Sequence, residues 1–97
     1  MTDSPSTTIA LGPRISVREV TELHRSFRDH LDAKTALVID GSAVEECDGA
    51  GAQFLTAFFE ACSALGIPWS WSARSERLDD VARVLDLTQY WEPKTAA

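Results

Sequence analysis

Asp40-Gly41-Ser42-Ala43-Val44-Glu45-Glu46-Cys47-Asp48-Gly49-Ala50-Gly51 is the stretch whose reading decides how this chain folds. The apolar run Ala36-Leu37-Val38-Ile39 feeds into it, and an amphipathic run from Ala52 to Leu65 leaves it. A short continuous apolar run reads as a buried strand, with the expected strand spanning Thr35 to Asp40. A polar loop follows, and then a helix whose first turn is built from very small residues. Small side chains at a helix N-terminus leave backbone N–H groups open to a partner or an anion.

Downstream, Phe54, Leu55, Phe58, Ala61, Cys62 and Leu65 recur at helical spacing, which predicts a helix from roughly Ala50 to Leu65. Gly66 is placed to stop it and Pro68 blocks its continuation. Ile67, Trp69 and Trp71 then alternate with Pro68, Ser70 and Ser72, a period of two that predicts a strand with one large apolar face and one small face. The two tryptophans are either core or an interface anchor. Ser75 is positioned to cap a third helix, with Glu76, Asp79 and Asp80 in turns where the dipole favours acids. Leu78, Val81, Ala82 and Leu85 are its expected stripe. Leu87 to Trp91 either pairs as a last short strand or lies on the core.

Upstream, Thr7 to Leu11 reads as a strand, punctuated by Gly12-Pro13. Arg14 to Ser16 is a second short extended piece. Ser16-Val17-Arg18-Glu19 matches a capping box. Val17, Val20, Leu23, Phe27 and Leu31 form the stripe of a first helix ending near Leu31. Strands thus alternate with helices. The expectation is an α/β fold with a small, mostly parallel sheet of about four strands and helices packed mainly on one face. The domain is expected over residues 7–91, between a flexible start, 1–6, and a tail, 92–97.

The chain has 97 residues, enough for one domain. Its formal net charge is −6, which argues against nucleic acid or an anionic membrane as a partner. No apolar run approaches the roughly 18 residues that span a bilayer, and the first residues lack the basic and apolar regions of a secretory signal. A cytoplasmic location without membrane insertion is the expectation. Two cysteines, Cys47 and Cys62, are too few for a disulfide framework and fit a reducing compartment. His24 and His30 stand six apart on another helix and point different ways, so no metal or cofactor is expected.

Catalytic patterns are absent from the sequence. Ser42, His24 and Asp48 can be drawn as a triad, but no nucleophile elbow surrounds the serine. Gly49-Ala50-Gly51 lacks the Lys-Ser/Thr that completes a phosphate loop. The expectation is a protein that is not an enzyme. Asp48 is expected to cap the second helix by accepting the N–H of Ala50 or Gly51. It is alternatively a carboxylate that meets a partner. Gly49 and Gly51 serve a tight turn or leave room for close approach. Glu45 and Glu46 are a solvated acidic pair or face a basic patch.

With these residues in view, the loop resembles the signature of the STAS family, the domain shared by sulphate transporters and anti-sigma-factor antagonists. That signature reads approximately Asp-Leu-Ser-Gly-Val-Glu-Phe-Ile-Asp-Ser-Ser-Gly. Asp40, Ser42, Val44, Glu45, Asp48 and Gly51 fall on it without a gap. Val81-Ala82-Arg83-Val84-Leu85-Asp86-Leu87-Thr88 is similar to the family's closing motif. In the antagonists a kinase phosphorylates the second serine of the Asp-Ser-Ser-Gly box, which abolishes partner binding. Ala50 occupies that phosphoacceptor position here and Gly49 the one before it, so neither offers a hydroxyl. Two further groups of relatives lack the serine: accessory subunits of lipid-transporting ABC systems and single-domain proteins of chemotaxis arrays.

The resemblance implies a non-catalytic regulatory module, with a docking face made by Asp48, Gly49, Ala50, Gly51, Gln53 and Thr56. Gln53 and Thr56 are expected to face outward. The implied partner is an anti-sigma kinase, a chemotaxis or signalling protein, or an ABC ATPase. A phosphorylated regulator using Ser42 or Thr56 is the alternative. A small-molecule or nucleotide binder at the second helix ranks last, because Glu45, Glu46 and Asp48 oppose an anion.

Overall fold

The computed structural model describes residues 6–93. The start of the expected leader, 1–5, and the end of the expected tail, 94–97, lie outside the described residues.

Three parallel strands form the central sheet in the order β1-β3-β5, with β1 at Ser6–Ala10, β3 at Ala36–Gly41 and β5 at Trp69–Arg74. Two very short strands, β2 at Arg14–Ile15 and β4 at Glu46–Cys47, pair in parallel beyond it. The helices are α1 at Val17–Ala33, α2 at Gly49–Leu65 and α3 at Glu76–Val84, and a 3-10 turn closes the fold at Thr88–Trp91. The α/β expectation holds. The strand count divides differently: three strands make the main sheet, and β4 had no sequence signal because two residues show no periodicity.

Register explains which face is covered. Thr7, Leu37 and Trp69 align across the sheet, as do Ile9, Ile39 and Trp71. Ile9, Leu37, Ile39 and Trp69 are buried under the helices. The intervening row, Thr8, Val38 and Ser70, lies on the opposite face, where Thr8 and Ser70 are exposed. Alternation along each strand therefore splits a helix-covered face from one that none of the described helices covers, where Thr8 and Ser70 are exposed and Val38 is half-buried. The pairing of β3 with β5 shifts by one residue after Ile39 and Trp71, leaving Ser72 as a bulge that bends the end of β5.

Helix α2 is the keel of the core. Ala52, Phe54, Leu55, Phe58, Phe59 and Cys62 are all buried along it. Phe27 of α1 meets Phe58 at 4.4 Å and Phe54 at 5.2 Å between ring centroids. Phe59 stacks on Trp69 at 3.9 Å with the rings 6° from parallel, so Trp69 is core. Leu78 and Ala82 attach α3. The segment from Leu87 to Trp91 is not a strand: Thr88–Trp91 forms the 3-10 turn. Trp91 is fully buried, which favours the alternative in which this segment lies on the core.

The expected caps are present. Ser16 and Glu19 form the reciprocal capping box of α1. Ser75 accepts from the N–H of Leu78 at the start of α3. Gly66 ends α2 at φ +72°, a conformation that favours glycine. The stripes are shorter than expected at their ends. Val17, Leu65 and Leu85 are 67%, 50% and 47% exposed, because each sits at a helix terminus past the reach of the sheet.

Candidate functional site

The loop from Asp40 to Gly51 is held at both ends by side-chain carboxylates. At the β3 end, Oδ1 of Asp40 accepts the Ser42 hydroxyl at 2.7 Å and the Ser42 N–H at 3.0 Å. The hydroxyl first, and the N–H second, hold the Asp40 carboxyl below the ordinary carboxylate range. Short polar residues commonly close turns in this way.

At the other end, Asp48 caps α2 through Oδ1, which accepts the N–H of Gly51 at 2.8 Å. Its second oxygen accepts the N–H of Val17, the first residue of α1, at 3.2 Å. One carboxylate thus serves the N-termini of two helices. The pairing of Ile15 with Cys47 places them side by side. The first contact was legible as a cap. The second joins residues 31 apart and had no signal in the sequence. Both oxygens are engaged within the chain, which favours the structural reading of Asp48.

The six residues expected at the docking face do not share one environment. Gly49 and Gln53 are exposed, and Ala50 is half-buried at the second position of α2. A Cβ built on Gly49 meets nothing within 4 Å beyond its own turn of helix. Gly51 is buried, and a Cβ built there would fall onto the backbone carbonyl of Ile15, 2.7 Å from its carbon. Gly51 is therefore the point where α2 passes against β2, and it offers nothing to a partner. Thr56 is a second correction. Its hydroxyl donates to the Ala52 carbonyl at 2.9 Å and accepts the indole N–H of Trp91 at 2.9 Å. That side chain turns inward to satisfy a buried tryptophan. Asp48, Gly49, Ala50 and Gln53 remain, close to the exposed Val17.

Sequence reasoning missed a concavity on the other side of the loop. Gly12, Pro13, Arg14, Glu19, Glu22, Leu23, Ser26, Glu45 and Glu46 line a groove of about 640 Å³. Its wall is fixed by the Pro13 carbonyl, which accepts the N–H groups of Glu45 at 2.8 Å and Glu46 at 3.0 Å.

The two thiols are chemically quiet. Burial pushes Cys62 up to about 11. Burial, and then the neighbouring Asp48 carboxylate, do the same to Cys47. Such thiols hold little thiolate near neutrality and are poor nucleophiles. Among the described residues no three His, Cys, Asp or Glu side chains gather as metal ligands, and no helix is long and apolar enough to cross a membrane. Ser42, His24 and Asp48 show no hydrogen bonds to one another among the described residues: Ser42 bonds to Asp40, and Asp48 to Gly51 and Val17. Compared with known proteins, the chain matches no protein-family model and no curated protein.

Proposed function

We propose that this chain is a non-catalytic cytoplasmic interaction module that docks a partner through the start of α2, in the manner of the STAS-like regulators its loop resembles. The observation that carries this reading is the accessible, side-chain-poor first turn formed by Gly49 and Ala50, beside exposed Gln53 and Val17. A turn of this kind lets another backbone or a flat side chain approach closely, so complementarity of shape sets the affinity. Neither Gly49 nor Ala50 carries a hydroxyl, so binding there is independent of phosphorylation. The partner classes that fit are an anti-sigma kinase, a chemotaxis or signalling protein, or an ABC ATPase.

Ala50→Glu tests the face. The added side chain projects a bulky charge from a half-buried helix position while Asp48 and Gly51 keep their contacts. Retained circular dichroism with loss of the proteins captured by the wild-type chain from its own cell extract supports the proposal. Capture of the same proteins at equal yield refutes it. Of the two alternative phosphoacceptors, Ser42 is the more accessible: both hydroxyls are hydrogen-bonded, Ser42 to Asp40 and Thr56 to Ala52 and Trp91, but Ser42 is exposed and Thr56 half-buried. Incubation with candidate kinases and ATP, followed by mass spectrometry, tests that reading. Stoichiometric phosphate on Ser42 would replace phosphorylation-independent docking with a displaced switch.

A further inference from the structure

The groove beneath the loop is a second surface, built from residues other than those of the α2 face. Pro13 and the half-buried Leu23 give it apolar lining, and Glu19, Glu22, Glu45 and Glu46 surround it. Arg14 is the lining cation, and its guanidinium is bound to Glu46 at 3.2 Å. Glu19 is committed to the capping box of Ser16. Among the described residues Glu22 and Glu45 form no ion pair. Glu45 is further fixed from behind, where its backbone carbonyl accepts the Nε–H of the Arg77 guanidinium at 3.2 Å. The result is a polar concavity with an apolar patch at Pro13 and Leu23 and, on both walls, a carboxylate outside any ion pair among the described residues, one from α1 and one from the loop before β4. An apolar side chain flanked by cations complements it in both shape and charge.

We infer that this groove docks a cationic segment of a partner protein, one apolar side chain lying between Pro13 and Leu23 and basic side chains meeting Glu22 and Glu45. The inference does not depend on the α2 face. A free polyamine would supply the charge without the apolar anchor, and the experiment separates the two.

The probe is the blocked peptide acetyl-Arg-Arg-Leu-Arg-Arg-amide, titrated into the isotopically labelled full chain and followed by amide chemical shifts. Shifts should concentrate on Gly12 to Arg14, Glu22 to Ser26 and Glu45 to Glu46. Glu22→Gln with Glu45→Gln should weaken binding about fivefold, as expected for two solvent-exposed charge contacts. Asp32→Asn with Glu60→Gln removes the same formal charge elsewhere and should leave the affinity unchanged. Replacing the peptide's leucine by glycine should weaken binding, and spermine should bind more weakly than the leucine peptide. Equal losses in the two double variants would show diffuse attraction to an acidic protein and overturn the inference. Shifts centred outside the groove, or no saturation at about 1 mM peptide, an affinity of about −4 kcal/mol, would overturn it too. Spermine binding as tightly as the leucine peptide would also refute a protein segment as the occupant.

Discussion

Gly49 and Gly51 stand two residues apart in the same helical turn, and the same substitution should move stability in opposite directions at the two sites. At Gly51 a methyl group would meet Ile15, with its backbone carbonyl carbon at 2.7 Å and its side-chain Cγ2 at 2.9 Å, inside the 3.0 Å that real Cβ atoms respect. The obstacle is backbone in β2, so no rotamer change relieves it. Helix α2 must back away, which strains the 3.2 Å bond from the Asp48 N–H to the Ile15 carbonyl and the contact of Asp48 with Val17. Overpacking of this kind costs about 1–3 kcal/mol, and an unyielding contact belongs at the upper end. The better helix propensity of alanine returns roughly 1 kcal/mol, leaving a net loss of about 2 kcal/mol. At Gly49 the new methyl meets nothing within 4 Å beyond its own turn of helix, so only the propensity gain remains, up to about 1 kcal/mol. Urea unfolding followed by tryptophan fluorescence reads both, as midpoint shifts at constant m. A Gly51→Ala variant as stable as wild type would refute the claim that α2 is set by its approach to β2.

Three further outcomes follow from other contacts. Asp48→Ala leaves the N–H groups of Gly51 and Val17 without an acceptor, and should cost about 2 kcal/mol in the same unfolding assay, with Asp48→Asn recovering part of it; a loss below about 0.5 kcal/mol would show that water replaces the carboxylate. Thr56→Val keeps the volume but strands the indole N–H of buried Trp91, and should cost about 1–3 kcal/mol while Thr56→Ser stays close to wild type; a neutral valine variant would mean that Thr56 is free to face a partner. The thiols predict an alkaline dependence. Folding raises both from the ordinary 9.0 to about 11, so the folded chain keeps protons that the unfolded chain releases. Their stabilising contribution is present below 9 and is lost as pH rises to about 11. Cys62→Ala should flatten that slope, whatever it does to absolute stability, and an unchanged slope would contradict the raised thiol.

Local signals in the sequence determined most of the elements. Ser16 with Glu19, Asp48, Ser75 and Gly66 bracket helices because each satisfies backbone groups within three or four residues of itself. The alternation of Trp69 and Trp71 with Ser70 and Ser72 likewise reports one strand and its two faces. What depended on distant residues was decided by the tertiary structure. Strand β4 exists because β2 lies beside it, Thr56 turns inward because Trp91 arrives to be satisfied, and Gly51 is buried because Ile15 occupies the space a side chain would need. The second role of Asp48, and the groove walled by Glu22 and Glu45, join segments that only the paired strands bring together. Caps and periodicity act over a single turn of chain and can be read in order. Close approach between elements depends on the shape of the finished core, which no short window of sequence contains.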